Sequence, residues 1–146
     1  MIHLQAAPAL GYSDADSCLG TASMSDIRYK CFPGDLLIRI GGGDFSTDWG
    51  WVPILDAALG LKYVLETLRS DGEIRTFEFT ESESTINFTR EEDTVHVSAS
   101  YTSAVATVGY VELKTALDDF AVDVRSQVVS RYPTIETNEN FLALFK

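Results

Sequence analysis

The sequence predicts an α+β fold in which an antiparallel sheet packs against two long helices. Two observations support this prediction. Between Ile74 and Tyr101, three runs of residues alternate apolar with polar side chains, which is the pattern of half-buried strands. Residues 53–69 and residues 110–131 instead repeat apolar side chains at helical spacing. The helices can therefore cover the apolar face of the meander that the three runs form.

The three runs are joined by short acidic segments. Residues 81–83 and residues 91–93 are three residues each, and connections this short join antiparallel neighbours. We expect one face of the meander to pack on the stripe of the second helix. The face comprises Phe77, Phe79, Ile86, Phe88, Val95 and Val97, and the stripe comprises Leu113, Leu117, Phe120 and Val124.

The sequence pattern of residues 27–40 predicts a β-hairpin in the N-terminal half of the chain. Residues 27–32 and 36–40 look like strands, and the turn chemistry of residues 33–35 lies between them. Residues 1–4 are compatible with a short edge strand, although residues 1–25 as a whole have the composition of a mobile arm. All 146 residues, with residues 1–25 as the N-terminal arm, are expected to form a single domain.

Three further positions give local expectations. Gly60, in the middle of the first long helix, predicts a close approach to a neighbouring backbone. Residues 102–107 read as a connection of small side chains before the second helix, which Pro133 ends. Asn138 is a candidate cap for a last short helix.

The charge of the chain is strongly acidic. It has 22 Asp and Glu against 11 Lys and Arg, which gives a net charge of −11. Such a field repels nucleic acid and anionic membranes and attracts basic protein surfaces, but it also serves simple solubility. The longest apolar stretch, residues 51–65, is too short to span a bilayer, and the first basic residue is Arg28, so we expect a cytoplasmic protein. The two thiols, Cys18 and Cys31, form no disulfide framework, and the sequence leaves their pairing open.

No catalytic, metal or cofactor motif is present. His3 and His96 have no further ligands at metal spacing, and His96 is expected to be a surface residue on the polar side of its strand. Residues 41–43 are three glycines without the lysine of a phosphate loop. We therefore predict a protein that is not an enzyme and needs neither metal nor cofactor.

Two acidic loops are the candidate binding residues. In residues 44–51, Asp44 and Asp48 flank aromatic side chains, and Trp49 is the candidate anchor for a partner because indoles bury a large area with few rotamers to freeze. Trp51, next to Pro53, is expected to plug the end of the core. The second loop is a hairpin tip formed by Glu91, Glu92 and Asp93.

With these features the chain resembles the small acidic immunity proteins of bacterial polymorphic and contact-dependent toxin systems. A small α+β domain, acidic loops at residues 44–48 and 91–93, and the lack of catalytic equipment carry the resemblance. It implies stoichiometric inhibition, in which the acidic surface blocks the active site or basic groove of a cognate toxin domain. Opposite potentials would speed the encounter.

Two alternatives come from other classes. The apolar helix at residues 53–68 could form the interface of a homodimer or larger assembly with a structural or regulatory role. A pocket between sheet and helix, using His96 and Glu78, could instead serve an enzyme or a small-ligand binder.

Overall fold

The computed structural model describes residues 1–9, 19–80 and 82–146. In these ranges the chain forms an α+β fold, as predicted, but its strands divide between two antiparallel sheets and do not form a single one. The strands are β1 (Ile2–Pro8), β2 (Pro33–Ile40), β3 (Gly43–Asp44), β4 (Val52–Pro53), β5 (Ile74–Glu78), β6 (Thr85–Glu91), β7 (Thr94–Ala99) and β8 (Thr102–Gly109). The helices are α1 (Met24–Tyr29), α2 (Ile54–Thr67), α3 (Tyr110–Arg131), a 3-10 helix (Pro133–Thr137) and α4 (Glu139–Leu144).

The first sheet is built on β2. Strand β1 pairs with it antiparallel from Ile2 opposite Ile40 to Pro8 opposite Gly34, and the short strands β3 and β4 also pair with β2. The second sheet is a meander in the order β5-β6-β7-β8, with every neighbour antiparallel. The sequence prediction of an N-terminal antiparallel pair plus a meander is confirmed at this level.

The assignment of residues 27–32 to a strand is wrong. Residues 24–29 are helix α1, whose N-cap Ser23 accepts a hydrogen bond from the Asp26 backbone N–H. Ile27 is the buried residue of this helix, and the Lys30 and Cys31 N–H groups after it both donate to Asp26 O. The strand that pairs with residues 36–40 is therefore β1, and residues 33–35 begin β2 instead of forming a turn.

Two more expectations need correction. Residues 2–8 are the seven-residue strand β1, which is longer than the edge strand expected at residues 1–4 and replaces the mobile arm there. Residues 102–107 belong to β8, a fourth strand of the meander, with Ala106 and Val108 on its buried side. Cys31 is buried, whereas Cys18 lies outside the described residues, as does the part of the arm at residues 10–18.

Helix α2 lies at the centre of the molecule. It packs against α1 and α3 and against strands of both sheets. Eight of its side chains are buried: Ile54, Leu55, Asp56, Ala57, Ala58, Leu61, Val64 and Leu65. The broad apolar surface that suggested a self-interface is thus largely covered within the chain. The aromatic side chain of α2 that stays exposed is Tyr63, at 65% exposure.

The expected close approach at Gly60 occurs, but to a side chain and not to a backbone. A Cβ atom at this position would lie 2.6 Å from the Phe77 ring, which is closer than carbon atoms can pack. The missing side chain lets the first strand of the meander approach α2 directly.

The predicted core is present. All ten side chains assigned to the sheet face and to the stripe on α3 are buried, and they belong to one hydrophobic cluster that also includes residues of the first sheet. Helix α3 begins and ends where the sequence predicted, and Asn138 caps α4 by accepting from the backbone N–H groups of Asn140 and Phe141. Its amide also donates to Leu19 O and Ala22 O, which connects the segment before α1 to the start of α4.

Truncation of the core aromatic side chains tests this packing. Phe88→Ala or Phe120→Ala should each lower the free energy of unfolding by about 3–5 kcal/mol, since both rings are 2% exposed and leave a cavity. Val122→Ala is the control on the same helix, because Val122 is 62% exposed. Denaturant titration should place the control within about 0.5 kcal/mol of the parent protein. Equal stability of all four proteins would contradict the core assignment.

Gly60→Ala tests the contact with Phe77. Alanine stabilises a helix interior by roughly 1 kcal/mol over glycine, so propensity alone predicts a gain. The collision with the ring predicts a net loss of stability instead. Thermal unfolding of the Gly60→Ala, Phe77→Leu double variant should show that the smaller side chain recovers part of that loss.

Candidate functional site: an acidic turn and a tryptophan loop

The structure places the predicted binding residues in two separate groups. We call residues 91–93 the acidic turn and residues 44–51 the Trp loop. Glu91, Glu92 and Asp93 are exposed, as are Asp44 and Asp48, whereas Trp49 is half-buried. All five predicted carboxylates are therefore accessible, but they do not form one cluster.

The two groups lie at opposite ends of the meander. The acidic turn joins β6 to β7 at the end where Glu91 pairs with Thr94. The Trp loop lies at the other end, where Trp49 contacts Phe79 and Tyr101 in the connections that flank β6 and β7. Six residue steps along β6 separate these ends by about 20 Å.

Arg90 stabilises the acidic turn from the buried side of the sheet. Its side chain lies on the inner side of the sheet, with the guanidinium carbon 3.7 Å from the centre of the Tyr110 ring. The same guanidinium donates to Glu92 O and to Leu68 O, both at 3.0 Å. One cation thus connects the turn to the start of α3 and to the end of α2.

Backbone contacts complete the support of the turn. The Asp71 carboxylate accepts from the Glu92 N–H at 3.0 Å, and Tyr110 N–H donates to Asp93 O at 2.7 Å. Gly72 N–H donates to Arg90 O at 2.8 Å. The turn is therefore bonded on both sides to neighbouring elements, which fixes the direction of its side chains.

Glu92 has a strained backbone. Its φ of 55° lies in the left-handed region, and it is the only described residue other than glycine with a positive φ. No hydrogen bond or ion pair from the described residues reaches the carboxylates of Glu92 or Asp93. Two uncompensated charges therefore project from a rigid turn.

Glu91 is oriented by His96. Its carboxylate lies 2.6 Å from His96 Nε2, and His96 Nδ1 lies 2.8 Å from the Thr107 hydroxyl on the next strand. This carboxylate–imidazole–hydroxyl order is that of a nucleophilic triad. Here it lies across the exposed polar face of the sheet, with His96 46% and Glu91 68% exposed at the side chain, and it serves to link β7 to its two neighbours.

The Trp loop is organised around Asp35. Its carboxylate accepts from the Thr47 hydroxyl and from the Trp49 N–H, each at 2.8 Å, and both of its oxygens accept from the Gly50 N–H at 3.0 Å. Gly50 has a φ of 81°, a conformation that favours glycine. The Asp35 side chain of β2 thus fixes the conformation of residues 47–50 through these hydrogen bonds.

Two hydroxyl groups extend the pairing of β2 along this loop. Phe45 N–H and Thr47 N–H donate to the carbonyls of Ile38 and Leu36, as in a regular ladder. In the other direction, the Ile38 and Leu36 N–H groups donate to the side chains of Ser46 and Thr47. The loop is therefore held along its whole first half.

The two tryptophans differ in their packing and exposure. Trp49 packs edge-on against Phe79 and Tyr101, with ring centres 5.1 Å apart in both pairs. Trp51 stacks on Trp49, with ring centres 5.2 Å apart and an interplanar angle of 18°, and remains 41% exposed. The expectation that Trp51 plugs the core is wrong, because Trp49 occupies that position.

Asp44 is more constrained than Asp48. The Ser46 side chain and backbone N–H, followed by Arg39, lower the pKa of the Asp44 carboxyl below its ordinary value. Burial, and the charge of Asp44, raise the pKa of Tyr101, whose hydroxyl donates to Phe45 O at 2.6 Å. Asp48 has no hydrogen bond or ion pair among the described residues, so its charge is uncompensated.

Sequence reasoning missed the residues that shape both loops. Asp35, Arg90 and Asp71 read as ordinary turn or surface residues, since their partners lie up to 22 positions away along the chain. One signal was available: Arg90 occupies an inward-facing position in the alternation of β6, where a cation requires a partner.

The described residues contain no group of three His, Cys, Asp or Glu side chains placed to hold a metal ion. Within the same part of the chain, no helix has the length and apolar character required to cross a membrane. The chain matches no protein-family model, and no curated protein or solved structure matches it significantly.

Removal of the Asp35 carboxylate should loosen the Trp loop. Asp35→Ala leaves the Thr47, Trp49 and Gly50 donors without their acceptor, so we expect a loss of about 1–3 kcal/mol in the free energy of unfolding. The tryptophan emission should shift to longer wavelength as the stacked rings separate. Asp48→Ala removes the same charge without a bonded partner and should change neither quantity measurably. A blue-shifted or unchanged spectrum for Asp35→Ala would contradict this account.

Proposed function

We propose that this protein is an immunity-type inhibitor, which binds and neutralises a basic toxin domain in a stoichiometric complex. The acidic turn is the primary contact in this proposal, and Glu92 and Asp93 are the side chains that meet the basic partner. Glu91 contributes from a position set by His96.

The observation that carries the proposal is the backbone of Glu92. A residue with a Cβ in the left-handed region costs roughly 1 kcal/mol or more relative to glycine, and such strain concentrates at functional sites. Glycine or asparagine would suit the conformation better. An exposed glutamate in this conformation, with no intramolecular partner, is accounted for if its charge is used by another molecule.

The rigidity of the turn supports the same function. Association costs free energy when flexible loops must be ordered, and preformed groups avoid that cost. Arg90, Asp71 and Tyr110 already hold the backbone of the acidic turn in one conformation. Its carboxylates can therefore meet fixed basic groups without further ordering of the chain.

The net charge of −11 supports rapid encounter with such a partner. Long-range attraction raises association rates and is weakened by salt, whereas specificity depends on charges at fixed positions. The alternative of self-association through α2 has less support, since most of its apolar side chains are buried within the chain.

The decisive experiment is co-expression with the product of the neighbouring gene, which the proposal expects to contain a toxin domain. Cells producing both should survive, and the two proteins should co-purify in a complex of defined stoichiometry. Survival that requires no complex, or death despite full expression of this protein, would exclude the proposed function.

The Glu92→Gly variant distinguishes a role of Glu92 in partner binding from a role in stability, because the two quantities should change in opposite directions. Relief of the left-handed strain should raise the free energy of unfolding by about 1 kcal/mol. Loss of the charge should slow association with the partner several-fold and reduce its salt dependence. Stopped-flow mixing at two ionic strengths measures both effects.

Asp123→Asn is the matched control, because it removes one exposed charge from α3. It should leave both stability and association close to the parent values. A Glu92→Gly protein that is more stable and binds at the parent rate would show that the acidic turn is not the contact.

A further inference from the structure

The Trp loop has an exposed aromatic surface that packs, on its inner side, against aromatic side chains of the core. Trp49 covers one face of the Trp51 indole, and 41% of Trp51 remains accessible to solvent. Trp49 in turn rests edge-on against Phe79 and Tyr101. The accessible indole is therefore the top of a packed stack, and its orientation is set before any ligand arrives.

The surroundings of this indole are acidic. Asp48 lies three residues before it with an uncompensated carboxylate, and the Asp35 carboxylate accepts from the backbone N–H groups of Trp49 and Gly50. Residues 40–61, which contain the whole loop, include no Lys or Arg. An electron-rich ring face in a loop that also carries an unpaired carboxylate and no basic residue is complementary to an organic cation.

We propose that the Trp loop is a second binding site, which accepts a lysine or arginine side chain of a protein partner over the exposed face of Trp51. Trp51 supplies the ring face, and Asp48 supplies the counter-charge. The backbone bonds to Asp35 keep both in place.

An apolar occupant fits this surface less well. A hydrophobic side chain placed on Trp51 would bring Asp48 out of water without a partner, which is unfavourable. A cation satisfies the carboxylate and the ring together. Arginine fits best, since its planar guanidinium can stack on the indole and bond the carboxylate at the same time.

This site is independent of the acidic turn, which lies at the opposite end of the meander. Nuclear magnetic resonance provides a direct test, because the chain has two tryptophans and hence two indole N–H signals. Trp49→Phe and Trp51→Phe assign these signals. The probe is an acetylated and amidated Gly-Arg-Gly peptide, and the control is the same peptide with neutral citrulline in place of arginine.

We expect the Trp51 indole signal to shift along a saturable curve with the arginine peptide and to respond weakly to the citrulline peptide. Asp48→Asn should weaken the apparent affinity about two- to fivefold, the effect of one nearby charge in water. Trp51→Leu, followed through the Trp49 signal and the backbone amides of the loop, should abolish saturable binding. Glu92→Gly should leave the titration unchanged.

Three results would overturn the proposal. Equal shifts with both peptides would identify an apolar surface without cation selectivity. Absence of saturable shifts with the arginine peptide would exclude the site. Unaltered titration of Trp51→Leu or of Asp48→Asn would place the cation elsewhere. None of these results depends on the toxin partner, so the proposed function is tested separately.

Discussion

The burial of α2 is the constraint on which the rest of this structure depends. Its Asp56 carboxylate, near the N-terminus of the helix, accepts from Arg28 Nε at 2.7 Å and from the Thr80 hydroxyl at 2.8 Å, which joins α1, α2 and the connection after β5. The Trp loop leads into the start of this helix, and the Arg90 guanidinium links the acidic turn to the end of the helix by donating to both Glu92 O and Leu68 O. Fourteen residues at 1.5 Å each give about 20 Å, so the length of α2 matches the distance between the two surfaces.

The parts of the fold that the sequence predicted are those encoded over short distances. The alternation in β6 and β7 and the stripe on α3 need only neighbours along the chain. The strand prediction for residues 27–32 failed because their apolar spacing suits either a strand or one helical face. The choice between the two depends on the pairing of β2 with the distant β1, which local sequence does not show. In the candidate site, loop composition was enough to predict exposed carboxylates. Their separation could not be predicted, because it depends on strand register and on the packing of α2.

Charged side chains from outside the two loops fix the loop backbones, whereas several carboxylates within the loops remain without a partner among the described residues. Asp35 and Asp71 accept hydrogen bonds from backbone N–H groups, and Arg90 donates to backbone carbonyls. The hydrogen bonds of these three side chains therefore stabilise the loop backbone. Asp48, Glu92 and Asp93 have no such partners among the described residues. A net charge alone cannot reveal this division, since a structural carboxylate and an available one count equally in it.

The division also determines what the electrostatic field can do. A charge of −11 attracts any basic surface at long range, and by itself it discriminates poorly among them. Discrimination requires carboxylates at fixed positions, where a mismatched partner leaves charges buried without counter-ions. The strained Glu92 and the stacked Trp51 are fixed in this sense at the two ends of α2. A partner that contacts both must present basic groups about 20 Å apart, which is a stricter geometric condition than basicity alone.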